Sequence, residues 1–206
     1  MTGRFRIAVL VSGAGTNLQA LIDTLDESIA IVGVASSRPE AGGLARAEQA
    51  GIETAVFAIA EHSDRDARDA ALGDWLEERG VDLVVLAGFM ELLGPELIRR
   101  LAGRVINVHP SLLPAFPGVG AIEQAIEYGV KTIGVTVHFV DEGVDSGAII
   151  LQESLALPYP AQIAEIVELV HGVEHRLLPR AVRLIAAGRV RLDPANPRLV
   201  LIDDVD

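Results

Sequence analysis

The stretch IAVLVSGAGTNLQAL, residues 7–21, contains the change of pattern from which the fold can be predicted. Its first five residues are apolar without polar alternation, which is typical of a strand that is covered on both faces. Gly13 and Gly15 then allow a tight turn, and the residues that follow have helical spacing. The stretch therefore predicts a buried strand, a short turn and a helix in direct succession.

Apolar runs and helix-like stretches alternate in the same way along the first half of the chain. They predict strands at residues 6–11, 29–35, 54–59, 82–87 and 104–108, and helices at 15–26, 40–50, 64–79 and 94–101. The second half predicts a helix at 120–128, hairpin-like strands at 132–140 and 149–157, a long helix at about 161–187, and a short edge pair at the sheet's periphery in residues 191–204. We therefore expect an α/β fold: a Rossmann-like open twisted sheet, mostly parallel with a mixed C-terminal part, and helices on both faces.

Length and composition restrict the class of protein. The 206 residues are 50% hydrophobic and 22% charged, which suits a single globular domain over residues 1–206. The formal net charge of −12 disfavours nucleic acid and anionic membrane surfaces as partners, so local donors must hold any anionic ligand. The chain has no cysteine, and we expect neither a disulfide nor a thiolate metal site. No apolar run approaches the roughly 18 residues of a membrane span, and we expect a cytoplasmic protein.

The glycine-containing turn is a candidate anion site. In parallel sheets ligands bind beyond the carboxyl ends of the strands, and here free N–H groups at a helix start lie beside Thr16 and Asn17. Leu18 stands where a dinucleotide fingerprint requires its third glycine, and no Gly-Lys-Ser/Thr follows. The pattern fits either a single-phosphate site or an ordinary turn with Thr16 or Asn17 as the helix cap.

Polar residues also follow the predicted strand at 104–108. Asn107 and His109 are separated by one residue, so they point to the same side and bring an amide and an imidazole to one place. Such a pair suits the stabilisation of a developing oxyanion beside a proton-transfer group, although a lone histidine here is more often structural. The prolines at 110, 114 and 117 restrict the loop that follows.

Three further features have both a functional and a structural interpretation. The residues 88–90 after an apolar strand form either an apolar slot for a flat ring or simply core and turn. The acidic loop at 140–147 is either a solvated turn, a cation site, or the source of a carboxylate for His109. Glu174 interrupts a helical apolar stripe, and periodicity alone favours a position at its edge, in water, over one facing a polar ligand.

Three motifs together resemble a known family. NVHPSLLPAFPG at 107–118, VHFVDEGVDSG at 137–147 and VSGAGTNLQAL at 11–21 are similar to the glycinamide ribonucleotide formyltransferases of purine synthesis, over nearly the whole chain. The first two motifs are highly specific to folate-dependent formyl transfer. They also occur in methionyl-tRNA formyltransferase and in formyltetrahydrofolate hydrolase or dehydrogenase, which carry extra domains.

The resemblance implies a role for particular residues. The implied catalytic residues are Asn107, His109 and Asp145. The implied substrate-binding residues are Gly13, Gly15, Thr16, Asn17 and Glu174, so that for Glu174 the resemblance reverses the expectation from periodicity. The implied folate-binding residues are Arg65, Met90, Glu91, Leu92, Leu93, Asn107, Val140 and Asp141. Two departures are present: Glu91 replaces a frequent arginine after Phe-Met, and PGVGAI lacks a histidine that many members carry.

The resemblance also implies the ligands. The substrates would be 5'-phosphoribosylglycinamide and the co-substrate 10-formyltetrahydrofolate, with no metal, no nucleic acid and no membrane partner, and a homodimer is a possible assembly. The N-terminal half would bind the phosphate or nucleotide, and the C-terminal half would supply the folate and catalytic loops. Two alternatives stay open: a formyltransferase or formyltetrahydrofolate hydrolase that acts on another acceptor, and a non-catalytic nucleotide- or folate-binding module.

Overall fold

The computed structural model describes residues 3–160 and 162–203, and the chain divides into two compact units, one ending at Ile106 and the other beginning at Asn107. The elements of the first unit are β1 (Phe5–Val11), α1 (Thr16–Thr24), β2 (Ile29–Ser36), α2 (Gly42–Gln49), β3 (Thr54–Val56), α3 (Arg65–Glu78), β4 (Leu83–Leu86) and α4 (Pro95–Arg100). Strand β5 (Val105–His109) begins there and ends in the second unit. The remaining elements are α5 (Ala121–Tyr128), β6 (Thr132–Phe139), β7 (Ile149–Ala156), α6 (Ile163–Ala186), β8 (Val190–Asp193) and β9 (Asn196–Ile202).

The seven main strands form one open sheet in the order β3-β2-β1-β4-β5-β6-β7. Strand β1 is parallel to β2 and β4, β2 is parallel to β3, and β6 is antiparallel to β7. Residues 7–11 of β1 are fully buried, as their unbroken apolar run predicts. The predicted Rossmann-like, mostly parallel sheet with a mixed C-terminal part is confirmed.

Local sequence explains where the helices begin and end. Helix α1 follows Gly15, whose φ of 73° lies in the left-handed region that glycine adopts without strain. The side chain of Asp64 caps α3 by accepting a hydrogen bond from the Ala67 N–H at 2.8 Å. Helix α6 was expected from residue 161, and Ala161 lies outside the described residues. Among the described residues, no helix has the length and apolar character needed to cross a membrane.

The structure differs from the predicted strands in two places. The strand expected at 54–59 ends at Val56 and is followed by a 3-10 turn at Ile59–Glu61. The reason is that β3 is an edge strand, and the Phe57 ring turns away to pack edge-on against Trp75 with 5.9 Å between ring centroids.

The C-terminal pair is the second difference. The predicted pairing is confirmed, because strands β8 and β9 are antiparallel neighbours and β9 contacts the edge strand β7, but the pair forms a separate two-stranded sheet and does not extend the main one. Strand β9 carries Pro197, which has no N–H to offer a further strand.

Candidate active site

The turn at residues 13–17 lies in the first unit, between β1 and α1. Gly13 is exposed and Gly15 adopts the left-handed conformation, so the backbone enters α1 without a side chain in the way. Asn17 is 8% exposed and Thr16 is half-buried. The first turn of α1 contains no acidic residue, so its N–H groups keep the partial positive charge that attracts an anion.

Helix α2 holds this turn in place. The Gly13 carbonyl accepts a hydrogen bond from the Gly43 N–H at 3.1 Å, and the Ala14 carbonyl accepts one from Arg46 Nε at 2.8 Å. A Cβ at Gly15 would lie 2.5 Å from Gly43 Cα, so the glycine at 15 is required by packing as well. Arg46 could not be predicted from the sequence, because nothing in the α2 sequence indicates that its side chain reaches back to the turn.

The segment at 88–94 follows β4. Met90 is 64% exposed, so the interpretation of residues 88–90 as core is wrong for this residue, and Leu92 is 59% exposed. Glu91 and Leu93 are half-buried. Arg65, at the start of α3, is exposed, and its Nε lies 3.8 Å from where a Cβ of Gly94 would be. The first unit therefore places an apolar, accessible segment beside a cationic side chain.

In the second unit the three predicted catalytic residues come together. Asn107 and His109 are on β5, and Asp145 comes from the loop between β6 and β7. Asp145 Oδ2 lies 3.4 Å from His109 Nδ1, and Asp145 Oδ1 lies 3.4 Å from Asn107 Nδ2. His109 is 5% exposed, so this contact is shielded from water. The carboxylate expected beside His109 is therefore Asp145.

The other nitrogen of His109 also faces an oxygen. His109 Nε2 lies 2.8 Å from the carbonyl oxygen of Phe116, a residue with a φ of 51°. A carbonyl can only accept, so Nε2 carries a proton. Because Nδ1 faces the Asp145 carboxylate, each ring nitrogen of His109 lies next to an oxygen, and the two contacts fix the orientation of the ring.

His138 is a fourth member of the cluster that the sequence analysis missed. It is 1% exposed, and its Nδ1 donates to the carbonyl of Phe139 at 2.7 Å. Its Nε2 lies 3.3 Å from Asn107 Nδ2 and 3.6 Å from Asp145 Oδ1. The available signal was a histidine inside the otherwise apolar and buried strand β6.

The cluster keeps Asp145 ionised. Burial alone would raise the pKa of this carboxyl group, but His138, the Gly118 N–H at 2.7 Å and the positive charge of His109 together lower the pKa to about 2. Asp145 also has a φ of 48°, which aspartate tolerates better than most side chains. The site thus holds a fixed negative charge between two imidazoles and next to an amide.

The remaining predicted residues of this unit are placed as follows. Glu174 is 6% exposed, so the expectation that it lies at the edge of the stripe in water is wrong. Asp141 is exposed and accepts hydrogen bonds from the Gly143 N–H at 3.0 Å and the Ser146 hydroxyl at 2.7 Å. Val140 is half-buried beside it. Within residues 3–160 and 162–203, no three His, Cys, Asp or Glu side chains are grouped to hold a metal ion.

Comparison with known proteins identifies the class. The formyl transferase family model matches residues 5–182. This match covers most of the chain, which therefore belongs to the formyl transferase family.

Individual relatives give more specific information than the family model. Phosphoribosylglycinamide formyltransferase of Haemophilus influenzae is 43% identical over 190 residues, which cover 91% of this chain and 90% of that protein. The trifunctional purine biosynthetic protein adenosine-3 of Bos taurus is 46% identical, and the chain spans about a fifth of its length, since the match covers 19% of it. The crystal structure of glycinamide ribonucleotide transformylase 1 from Symbiobacterium toebii has a TM-score of 0.94 and 43% identity, and the match covers 99% of this chain and 96% of that one.

Proposed function

We propose that the protein transfers the formyl group of 10-formyltetrahydrofolate to the amine of 5'-phosphoribosylglycinamide, a step of purine biosynthesis. The observation that carries the proposal is the contact of Asp145 with both His109 and Asn107, in a chain of the formyl transferase family. The names of its full-length relatives and structural neighbours support the choice of acceptor.

In the first chemical step the glycinamide nitrogen attacks the formyl carbon. A carbon–nitrogen bond forms, and the carbonyl π electrons move to the formyl oxygen, which becomes an alkoxide. In the free protein His109 Nε2 donates a hydrogen bond to the Phe116 carbonyl. During the reaction the same N–H would donate to the alkoxide oxygen instead, and the Asn107 amide would be a second donor. Preorganised donors of this kind stabilise the charge that develops in the transition state.

In the second step the tetrahedral intermediate collapses. The alkoxide reforms the carbonyl, the bond from the formyl carbon to the folate nitrogen N10 breaks, and a proton moves from the new ammonium to that nitrogen. Asp145, ionised at neutral pH, would receive the proton directly or through water and pass it on. Its carboxylate, 3.4 Å from His109 Nδ1, would also hold the imidazole in its orientation while the alkoxide exists.

The binding roles follow the predicted residues. The substrate phosphate would bind the N–H groups at 13–17, where an acidic protein still presents a local positive potential. Glu174 would bind a polar part of the same substrate. The folate-binding residues proposed from the resemblance are Arg65 and residues 90–93 in the first unit, and Asn107, Val140 and Asp141 in the second. We further propose one functional domain over residues 1–206, cytoplasmic localisation, no metal, and a homodimer as the assembly to test.

Steady-state formyl transfer tests the proposal. Tetrahydrofolate release is measured with 10-formyltetrahydrofolate at fixed concentration and 5'-phosphoribosylglycinamide varied. We expect release that saturates with the acceptor and is nearly absent without it. Release that proceeds without the acceptor and yields formate would instead identify a hydrolase. Binding of both ligands without turnover would identify a non-catalytic module.

A further inference from the structure

At Arg68 of helix α3, the periodicity of the buried face predicts an apolar residue, but the side chain present is charged and buried. Arg68 lies one and two turns before Leu72 and Leu76, on the same helical face, and each of the three is at most 1% exposed. A buried guanidinium is costly unless it is paired and hydrogen-bonded. An apolar residue would fill the same face without that cost, so the contacts of Arg68 require an explanation.

Arg68 makes two kinds of contact. Its guanidinium pairs with the carboxylate of the adjacent Asp69, with Nε 2.7 Å and Nη2 2.6 Å from Oδ1. Nη2 also donates to the carbonyl of Leu92 at 3.0 Å. The second oxygen of Asp69 accepts a hydrogen bond from the Gly94 N–H at 2.5 Å. One group of each residue in the pair therefore binds the backbone of the segment, Arg68 at residue 92 and Asp69 at residue 94, while Arg68 Nη1 is buried without a hydrogen-bond partner among the described residues.

The other end of the same segment is held by Ser12. The Ser12 N–H donates to the Gly88 carbonyl at 3.1 Å, and its hydroxyl accepts from the Met90 N–H at 3.0 Å. The hydroxyl is itself 2.8 Å from Ser37 Oγ, so it is fixed in turn. A backbone group is thus hydrogen-bonded at every second position from 88 to 94. Ser12 holds residues 88 and 90, Arg68 holds residue 92, and Asp69 holds residue 94.

This arrangement fixes the backbone of a segment whose side chains stay accessible. Met90 and Leu92 are more than half exposed, so core packing does not determine their conformation. A flat heterocycle that binds along such a segment gains affinity when the backbone is already ordered, because less conformational entropy is then lost on binding.

We propose that Arg68 and Asp69 are positioning residues that hold the folate-binding segment 88–94 in its ligand-ready conformation. The folate part of this inference rests on the proposed function. The two residues do not touch the reacting groups, and they act through the backbone of Leu92 and Gly94. Arg68 takes the place of an ordinary apolar core residue for this purpose.

The test uses the double variant Arg68→Met/Asp69→Asn. It removes both charges together, so no unpaired charge is left in the core, and it deletes the donor to Leu92. The matched control is Arg79→Met, because Arg79 follows the other end of α3 and its side chain contacts Trp75 and Glu53 instead of the segment. Gly94→Ala is a second probe that leaves both charges in place, since its Cβ would lie 2.9 Å from Asp69 Oδ2.

Two measurements are made on each protein. Hydrogen–deuterium exchange of a peptide covering 88–94 reports the order of the segment, and calorimetry reports the affinity for tetrahydrofolate and for 5'-phosphoribosylglycinamide. We expect faster exchange in the double variant and in Gly94→Ala. Tetrahydrofolate binding should weaken about tenfold, as for the loss of one charged hydrogen bond, with little change for the other ligand. Arg68→Lys should recover part of the folate affinity, and Arg79→Met should behave as wild type.

The outcomes separate this inference from the proposed function. Unchanged exchange in the double variant, or faster exchange with unchanged folate affinity, would overturn the positioning role. An equal loss of affinity for both ligands would also overturn it, since that would indicate general damage. A wild-type protein that does not bind tetrahydrofolate would refute the proposed function, and the folate role of the segment with it.

Discussion

Replacing Asp145 with asparagine removes one negative charge from the centre of the cluster and little else. Asparagine has nearly the same shape, tolerates the φ of 48°, and keeps an oxygen that can accept from the Gly118 N–H. The contact of Oδ2 with His109 Nδ1 at 3.4 Å would lose its charge. We therefore expect a folded protein with a damaged proton-transfer system.

The size of the effect can be estimated from the structure. A pKa lowered from 3.8 to about 2 means that the folded protein favours the charged carboxylate by a factor of about 60, or between about 2 and 3 kcal/mol. If the carboxylate also moves a proton, the loss extends to about 10² to 10⁴. We expect kcat of Asp145→Asn to fall by an amount between these limits, with smaller changes in ligand affinity.

The assay is tetrahydrofolate formation under saturating substrates. Asp74→Asn is the control for charge removal, because Asp74 forms an exposed ion pair with Arg100, and such pairs contribute little. His109→Ala should cost about as much as Asp145→Asn, and the double variant little more than either, because groups that act as a unit are not additive. A kcat near that of wild type in a folded Asp145→Asn protein, or additive losses in the double variant, would refute this reasoning.

Three further outcomes are expected. Gly13→Ala should weaken 5'-phosphoribosylglycinamide binding with little change in Tm, because nothing in the described residues lies within 4 Å of its Cβ. Gly15→Ala should instead lower Tm, because its Cβ would clash with Gly43. Thermal melts and calorimetry measure both effects, and two variants that behave alike would contradict this expectation. Glu174→Ala should weaken the same ligand and leave tetrahydrofolate affinity nearly intact, and an equal loss for both would indicate a damaged helix. The lowered pKa of Asp145 contributes stability that is present above about pH 4 and is lost as the pH falls towards 2. In denaturant titrations across that range, the unfolding free energy of wild type should therefore decline relative to that of Asp145→Asn by up to between about 2 and 3 kcal/mol, and a constant difference would count against this stability term.

Periodicity was enough to predict the central elements of the fold. A strand covered on both faces and an amphipathic helix differ in spacing, so β1 at Phe5–Val11 agrees with the predicted strand at 6–11 within one residue. The strands at the edges of the sheet were harder to predict, because an edge strand has one neighbouring strand and forms about half as many interstrand hydrogen bonds as a central one. Strand β3 therefore ends early, and the C-terminal pair forms its own sheet.

The site was predictable where residues are close in sequence or match a family motif. Asn107 and His109 share one side of β5, but only the family resemblance indicated Asp145 as their partner. His138 and Arg68 were missed for a common physical reason. Each is a polar residue on a buried face, and its role depends on partners that lie far away in the sequence.

Formyl transfer with a labelled formyl carbon tests the central claim most directly. Labelled 10-formyltetrahydrofolate and 5'-phosphoribosylglycinamide are incubated with the protein, and the products are analysed by mass spectrometry. We expect the label in the N-formylated acceptor in the same amount as the tetrahydrofolate released. Label recovered in formate, or tetrahydrofolate release without any labelled acceptor, would contradict the proposed formyl transfer.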